Sequence, residues 1–322
     1  MLNFIYWPIS AVLWFWHKAF GLIMNPDWGV TWALSIVMLT FTVRALLLKP
    51  TMNSMRSMRK MQILQPKMQA IQEKYKNNPE KMMEETRRVQ KEVGASPVKG
   101  CLPMLVQMPV FIGLFHVLRS FNRTGTGRGQ LGLSIEENYN TPNYIFGVDD
   151  VRSFLEARLF GVPLSAYISM PEEMYHAFGE GDFTRTNVIM VAAPFILLIA
   201  VATHLNGRFS VKRQKQRLAS GKQKAPENDQ AQMSMNMMNN MMLYFMPLTI
   251  LFTGFVWHIG LLFYMLANTV WTFFQTRIVY AKMDREEEEE AAAKAELKRT
   301  SAPKPGARKK DNRSKKQRRN NN

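Results

Sequence analysis

The stretch WGVTWALSIVMLTFTVRALLLKP, residues 28–50, decides how the rest of the sequence is understood. Its apolar part, 28–48, is long enough to cross a bilayer core of about 30 Å at the helical rise of about 1.5 Å per residue. Arg44 lies within it, and a guanidinium inside a span costs about 2.5–3.5 kcal/mol even on lenient insertion scales. The stretch therefore predicts a membrane-spanning helix that carries a costly charge near one end.

Four further apolar windows of spanning length follow along the chain, at 102–118, 187–205, 241–257 and 260–280. The 322 residues carry a net charge of +17, which in a soluble protein would indicate nucleic-acid binding. Here the charge is concentrated in the polar segments between the windows. We predict an all-α, polytopic membrane protein with five transmembrane helices.

The distribution of lysine and arginine predicts how these helices are oriented. Segment 49–99 holds twelve basic and five acidic residues, 208–240 holds seven and two, and 277–322 holds fifteen and eight. Segment 119–186 holds six basic and nine acidic residues. Because cytoplasmic loops carry the excess of Lys and Arg, the first three segments should be cytoplasmic and the fourth external. The amino terminus is then outside and the carboxyl terminus cytoplasmic.

The first 24 residues, MLNFIYWPISAVLWFWHKAFGLIM, are apolar and rich in aromatic residues but contain Pro8, His17 and Lys18. They lack the basic start and the small-residue cleavage site of a signal peptide. An external amphipathic helix lying in the membrane interface fits the aromatic band, since Trp and Tyr favour the headgroup level. A sixth span is the alternative.

Segment 49–99 predicts a cytoplasmic hairpin of two helices joined at NNPEK. Asn78 suits the cap of the second helix, Pro79 its first position, and Glu80 the positive end of its dipole. The hairpin should therefore break between Lys76 and Lys81.

Methionines recur at every third position of the first arm of this hairpin. Such a stripe allows two interpretations: the methionines pack one arm on the other, or they form an adaptable apolar surface that contacts clients or targeting factors. The residues are Met52, Met55, Met58 and Met61.

The segments together give a predicted organisation of the whole chain. Within it, 120–186 should be irregular, with one or two short helices near 149–159, and the tail should be disordered because its end lacks apolar residues. The predicted parts are an external interfacial helix (1–26), span 1 (27–48), the hairpin (49–99), span 2 (100–119), an external loop (120–186), span 3 (187–207), a basic, Met-rich cytoplasmic linker (208–240), span 4 (241–258), span 5 (260–280) and a basic cytoplasmic tail (281–322).

The motifs of the common catalytic sites are missing from the sequence. It contains no HExxH, no GxSxG, no Walker A loop and no Cys/His cluster with metal spacing. Cys101 is the only cysteine, which excludes an intrachain disulfide and a multi-cysteine metal site. We therefore expect neither an enzyme nor a bound cofactor or metal.

Polar residues within the predicted spans gather near their cytoplasmic ends. Arg44 and Gln107 lie about 7 Å in, and Asn268 and Thr269 about 12–13 Å in, by helical rise. The external halves of the five windows contain no charged residue. Intramembrane charges usually face a bundle interior or a water-filled cavity. This asymmetry therefore predicts a water-filled cavity that is open to the cytoplasm and closed on the external side. Snorkelling of Arg44 to the headgroups is the alternative.

Several motifs together resemble the YidC family of membrane-protein insertases. In order and spacing they are TFTVRALLLKP, KMQILQPKMQAIQEKY, GCLPMLVQMPVFIGLF, LYFMP and GLLFYMLANTVWTFFQT. The resemblance covers about residues 4–120 and 187–280 and is closest to the short, five-span, actinobacterial form. It implies a hydrophilic groove open to cytoplasm and lipid, with its arginine at Arg44 and its glutamine at Gln107.

The resemblance also implies roles for other parts of the chain. Residues 4–20 would be the family's external amphipathic helix and 51–98 its cytoplasmic landing platform. Two positions depart from the family pattern, because many members have Trp or Tyr at Met265 and Asn at Thr269. The resemblance implies that Met265, Asn268 and Thr269 form the far wall of the groove.

The expected function is that of an insertase and chaperone of the bacterial cell membrane. It would pass hydrophilic client segments through the groove and release client helices into lipid, alone or with the Sec translocon. Expected partners are nascent membrane proteins, the ribosome through 308–319, targeting factors and anionic lipids. A small-solute transporter or channel is the alternative, and a ribosome or RNA tether would rest on the basic tail alone.

Overall fold

The computed structural model describes residues 2–94, 97–125, 131–178, 183–223, 225 and 229–301, and most of them are helical. The basic stretch 308–319 lies outside the described residues. The first helices are α1 (Asn3–Gly21), α2 (Gly29–Leu46), α3 (Leu48–Lys74), α4 (Pro79–Val93) and α5 (Pro97–Arg119). A segment of short elements follows: α6 (Ile135–Tyr139), α7 (Val148–Glu156), β1 (Arg158–Leu159), β2 (Val162–Pro163) and a 3₁₀ helix (Glu172–Ala177). The remaining elements are α8 (Arg185–Ala219), α9 (Asp229–Asn240), a π-helical turn (Met241–Phe245), α10 (Met246–Thr253), a 3₁₀ turn (Gly254–Val256) and α11 (Ile259–Ser301).

The chain divides into a unit up to Gln275, which contains the hydrophobic core, and a unit from Thr276 onward. In the described part of the chain, three helices are long and apolar enough to cross a membrane: Gly29–Leu46, Arg185–Ala219 and Gln232–Val256. The apolar part of α5, Leu105–Arg119, is shorter. The protein is thus a mainly helical, multi-pass membrane protein, and the count of five spans stays a prediction.

The hairpin breaks where its sequence predicts. α4 begins at Pro79, and the Asn78 side chain accepts a hydrogen bond from the Lys81 backbone N–H at 3.1 Å. Gly94 ends α4 with a left-handed φ of 62°. α3 packs against both α4 and α5. Of the four methionines on α3, Met58 is 49% exposed and Met52, Met55 and Met61 are half-buried.

The 120–186 segment is more ordered than we expected from its sequence. The predicted short helix is α7, but the segment also builds an aromatic core around Trp32 of α2, which is fully buried. The Trp32 ring lies 5.7 Å from Phe121, 5.7 Å from Phe146 and 4.9 Å from Phe154. Burial of these large rings stabilises the segment despite its Gly- and Asn-rich composition. The short helix was predicted and the aromatic core was not, and the assignment of 120–186 as an external loop stays a prediction.

One small sheet departs from the all-α prediction. β1 and β2 form a two-stranded antiparallel hairpin in which Arg158 pairs with Pro163 and Leu159 with Val162. The turn between them consists of Phe160 and Gly161, both with positive φ.

Helix α1 packs on α2 and α5. Leu13 is fully buried, and a Cβ at Gly113 of α5 would lie 2.3 Å from the Ile9 side chain, so glycine permits this close approach. The His17 ring stacks on Trp32 at 3.7 Å, and Lys18 Nζ pairs with Asp150 Oδ1 at 2.6 Å. α1 is therefore fixed to the aromatic core, and its interfacial placement remains a prediction.

The predicted linker 208–240 is mostly helical. α8 continues twelve residues past its predicted end at 207, to Ala219, and α9 runs into the π-helical turn and α10. The His204 ring hydrogen-bonds the Leu243 carbonyl at 2.8 Å, and a Cβ at Gly207 would lie 2.8 Å from the Met242 carbonyl oxygen. Helix-favouring residues such as those in VKRQKQRLA extend α8 beyond its apolar part.

Candidate functional site

Arg44 lies in the last turn of α2, half-buried, and its guanidinium points to α11. Nε donates to Asn268 Oδ1 at 2.7 Å, and Nη2 donates to Thr272 Oγ1 at 3.3 Å. These bonds use two of the five N–H donors of the guanidinium. Three donors thus remain for water or a ligand.

The partners of Arg44 are neutral. Asn268 and Thr272 stand one turn apart on α11, and the Thr272 hydroxyl also donates to the Asn268 carbonyl at 2.8 Å. Among the described residues, no carboxylate pairs with Arg44. The site therefore keeps a positive charge that can hold water and attract an anion.

Gln107 of α5 reaches the same face of α11. Its side-chain amide donates a short hydrogen bond to the Tyr264 hydroxyl, and the Tyr264 side chain is 2% exposed. The ring of Phe111, one turn along α5, lies 6.1 Å from that of Tyr264. Tyr264 precedes Asn268 by one turn, so α2 and α5 both contact one polar face of α11.

Met265 and Thr269 lie beside this face and make different contacts. The Thr269 hydroxyl donates to the Met265 carbonyl at 2.8 Å, and the Thr269 carbonyl accepts a hydrogen bond from Asn206 of α8 at 3.2 Å. Met265 is half-buried and packs against the hydrophobic core. The structure thus brings Arg44 and Asn268 into direct contact, adds Gln107 through Tyr264, and places Thr269 next to α8.

Sequence reasoning missed Tyr264 and Thr272. Together with Asn268 they recur at every fourth residue, and residues at i and i+4 share one face of a helix. A stripe of hydroxyl and amide groups in an otherwise apolar window was the signal that would have identified them. The described residues contain no group of three or more His, Cys, Asp or Glu side chains that is arranged to hold a metal ion.

Comparison with known proteins identifies the family. The sequence profile described as "60Kd inner membrane protein" matches residues 23–287, most of the chain. The "Membrane protein insertase YidC" of Mycobacterium tuberculosis (strain CDC 1551 / Oshkosh) is 41% identical over 305 residues, which cover 95% of this chain and 80% of that protein. This chain belongs to the YidC family of membrane-protein insertases.

More distant YidC proteins align over most of the chain as well. The protein of that name from Mycobacterium leprae (strain TN) is 39% identical over 95% of this chain and 77% of its own length. That from Corynebacterium efficiens is 31% identical over 88% of this chain and 69% of its own length. The family profile includes Arg44, Gln107 and the polar face of α11, whereas the basic stretch 308–319 lies beyond it. As a YidC-family protein with apolar helices, the chain is a multi-pass protein of the bacterial membrane.

Proposed function

We propose that this protein inserts nascent membrane proteins by receiving their hydrophilic segments in a groove at Arg44 and releasing their helices into lipid. The observation that carries the proposal is the guanidinium of Arg44, half-buried between α2 and α11 and bonded there to two neutral side chains. The proposal involves no bond chemistry and no cofactor.

The groove acts by lowering the cost of burying polar client groups. A polar group without a hydrogen-bond partner costs several kcal/mol in hydrocarbon. A groove that holds water around Arg44 supplies partners, and the cation attracts acidic client segments. The membrane potential, about 2.3 kcal/mol per charge per 100 mV, then helps to draw negative segments outward.

The groove opens to the cytoplasm in this proposal and is closed outside. The basic segments 49–99, 208–240 and 277–322 support a cytoplasmic location for both the hairpin and the carboxyl terminus. The aromatic core around Trp32, twelve residues before Arg44 on α2, supports closure at the opposite end. In this arrangement α1 lies on the external surface, and α2, α5, α8, α10 and the first part of α11 contribute the five spans.

The hairpin is the proposed contact for clients and targeting factors. Met58 offers an exposed, flexible apolar side chain there, and thioethers adapt to varied partners. Two further partners are proposed: the Sec translocon, and the ribosome, which would bind the basic stretch 308–319. The side chains of Met265, Asn268 and Thr269 are proposed to form the far wall of the groove.

Anionic lipids are proposed partners at the carboxyl end of α8. A second cavity of about 580 Å³, separate from the groove at Arg44, is lined there by Arg208, Lys212 and Lys215 together with apolar side chains such as Leu243. Juxtamembrane basic residues favour anionic lipid surfaces by about 1 kcal/mol each. The basic side chains of this second cavity therefore suit the negative charge of an anionic phospholipid headgroup.

Reconstitution tests the proposed function directly. The pure protein is placed in liposomes, a small nascent client with an acidic translocated segment is added, and protease protection of that segment is measured. Protection should exceed that in protein-free liposomes and fall with Arg44→Ala, while Lys49→Ala, which removes an exposed cation in the first turn of α3, should leave it unchanged. Solute flux without client insertion would instead support the small-solute transporter or channel.

A further inference from the structure

The turn between β1 and β2 carries an unexpected residue. Phe160 and Gly161 form a two-residue hairpin loop with φ of 51° and 81°. Such loops favour Asn-Gly, because both positions require positive φ, and a bulky residue in that region is an outlier. The geometry of the turn alone thus disfavours phenylalanine at this position.

Phe160 is also exposed where comparable side chains are buried. Its exposed fraction is 82%, whereas four other phenylalanines of the 120–186 segment are completely buried. The buried residues are Phe121, Phe146, Phe154 and Phe178. The segment therefore buries these four rings in its core, whereas the ring of Phe160 projects away from the core at the tip of the sheet.

The tip lies beside the amino-terminal half of α8. Phe160 lines a cleft of about 510 Å³ whose other walls come from α8, between Asn187 and Leu198. Met190, Pro194 and Leu198 give the cleft an apolar surface. The eleven helical steps from Asn187 to Leu198 extend about 16 Å, which is about half of a hydrocarbon core of about 30 Å.

The occupant of this cleft follows from the helix that forms it. α8 is long and apolar enough to cross a membrane, and the exposed side chains that continue from the cleft, among them Leu197 and Val201, are apolar as well. The cleft is thus continuous with a lipid-facing surface and has the length of one leaflet.

We propose that Phe160 anchors the β1–β2 turn in the leaflet at the amino-terminal end of α8, and that the cleft holds an acyl chain of a membrane lipid. Insertion of the ring compensates for the unfavourable backbone conformation, because burying an aromatic side chain is favourable. With the orientation proposed above, this is the external leaflet. The inference concerns a surface separate from Arg44 and holds whether or not the groove acts as proposed.

Fluorescence quenching by lipid tests the anchor. Phe160→Trp is reconstituted in vesicles of phosphatidylcholine brominated on the acyl chains, and its emission is compared with that of the unsubstituted protein to subtract the native tryptophans. Asp149→Trp is the matched control, because the Asp149 side chain is fully exposed in the same segment. An indole about 5–10 Å below the headgroups should be quenched strongly at position 160, and the control should not be quenched. Equal quenching at both positions, or crosslinking of position 160 to a client without quenching by lipid, overturns the anchor.

Discussion

Replacing Arg44 by alanine should selectively slow the insertion of clients whose translocated segment is acidic. In the folded protein the guanidinium is half-buried and donates to Asn268 and Thr272, which leaves three N–H donors for a client carboxylate or for water. Arg44→Lys should retain much of the activity, because an ammonium also carries the charge and holds water.

The size of the effect follows from the surroundings of the charge. Two unit charges about 5 Å apart attract by roughly 3 kcal/mol at an effective dielectric constant of about 20, which corresponds to about a hundredfold in rate. Water in the groove screens part of this attraction, so a loss of about tenfold to a hundredfold is expected for an acidic client. A client with an uncharged translocated segment should lose much less.

Single-round insertion into proteoliposomes, measured by protease protection over time, provides these rates. Matched clients differ only in whether the translocated segment contains Asp or Asn, and Lys49→Ala controls for loss of a cation outside the groove. If Arg44→Ala slows both clients equally, the cation acts by holding the helices together rather than by receiving charge. If it slows neither client, the guanidinium serves only as a hydrogen-bond donor to α11, and the proposed groove is refuted.

Three further predictions concern other parts of the molecule. Serine at all four hairpin methionines should reduce crosslinking to nascent chains while the protein stays folded, and unchanged crosslinking would mean that they only pack; the residues are Met52, Met55, Met58 and Met61. Deletion after Pro303 should remove most cosedimentation with ribosomes, and the affinity of the full-length protein for ribosomes should fall steeply with salt. Equal binding of ribosomes by the full-length and the truncated protein at every salt concentration would exclude a tether. Burial lowers the pKa of His17 below its ordinary value of 6.5, so the stability of the core around Trp32 should be complete above that pH and decrease as the pH falls toward the lowered pKa. Thermal unfolding across pH should show this dependence, and His17→Gln should flatten it.

Local signals predicted the parts of the fold that depend on neighbouring residues. The break of the hairpin follows from Asn78 and Pro79, whose capping and N1 roles need only the next few residues. Arg44 and Asn268 were predicted because a polar group in an apolar window is costly wherever its partner lies. Their mutual hydrogen bond spans 224 positions, and no local pattern in the sequence specified it.

The rest depended on contacts that sequence patterns do not encode. Trp32 packs on rings that follow it by 89 to 122 positions, within a segment whose Gly and Asn content resembles that of an irregular loop. Tyr264 was missed because its hydroxyl, on a largely apolar ring, looks like an ordinary interface residue until Gln107 is placed beside it. α8 exceeded its predicted end because hydropathy marks the edge of a membrane and not the end of a helix.

Helix α2 joins two environments that must stay a fixed distance apart. Trp32 is held in the aromatic core and Arg44 bonds to α11, and twelve residues of helix separate them by about 18 Å. One residue inserted between them would shift the guanidinium by about 1.5 Å along the axis of α2 and rotate it by about 100° about that axis, away from Asn268. The same insertion after Gly94 would fall between the hairpin and α5 and would leave this spacing unchanged. The packing of Trp32 near one end of α2 therefore fixes the position of the Arg44 charge near the other end.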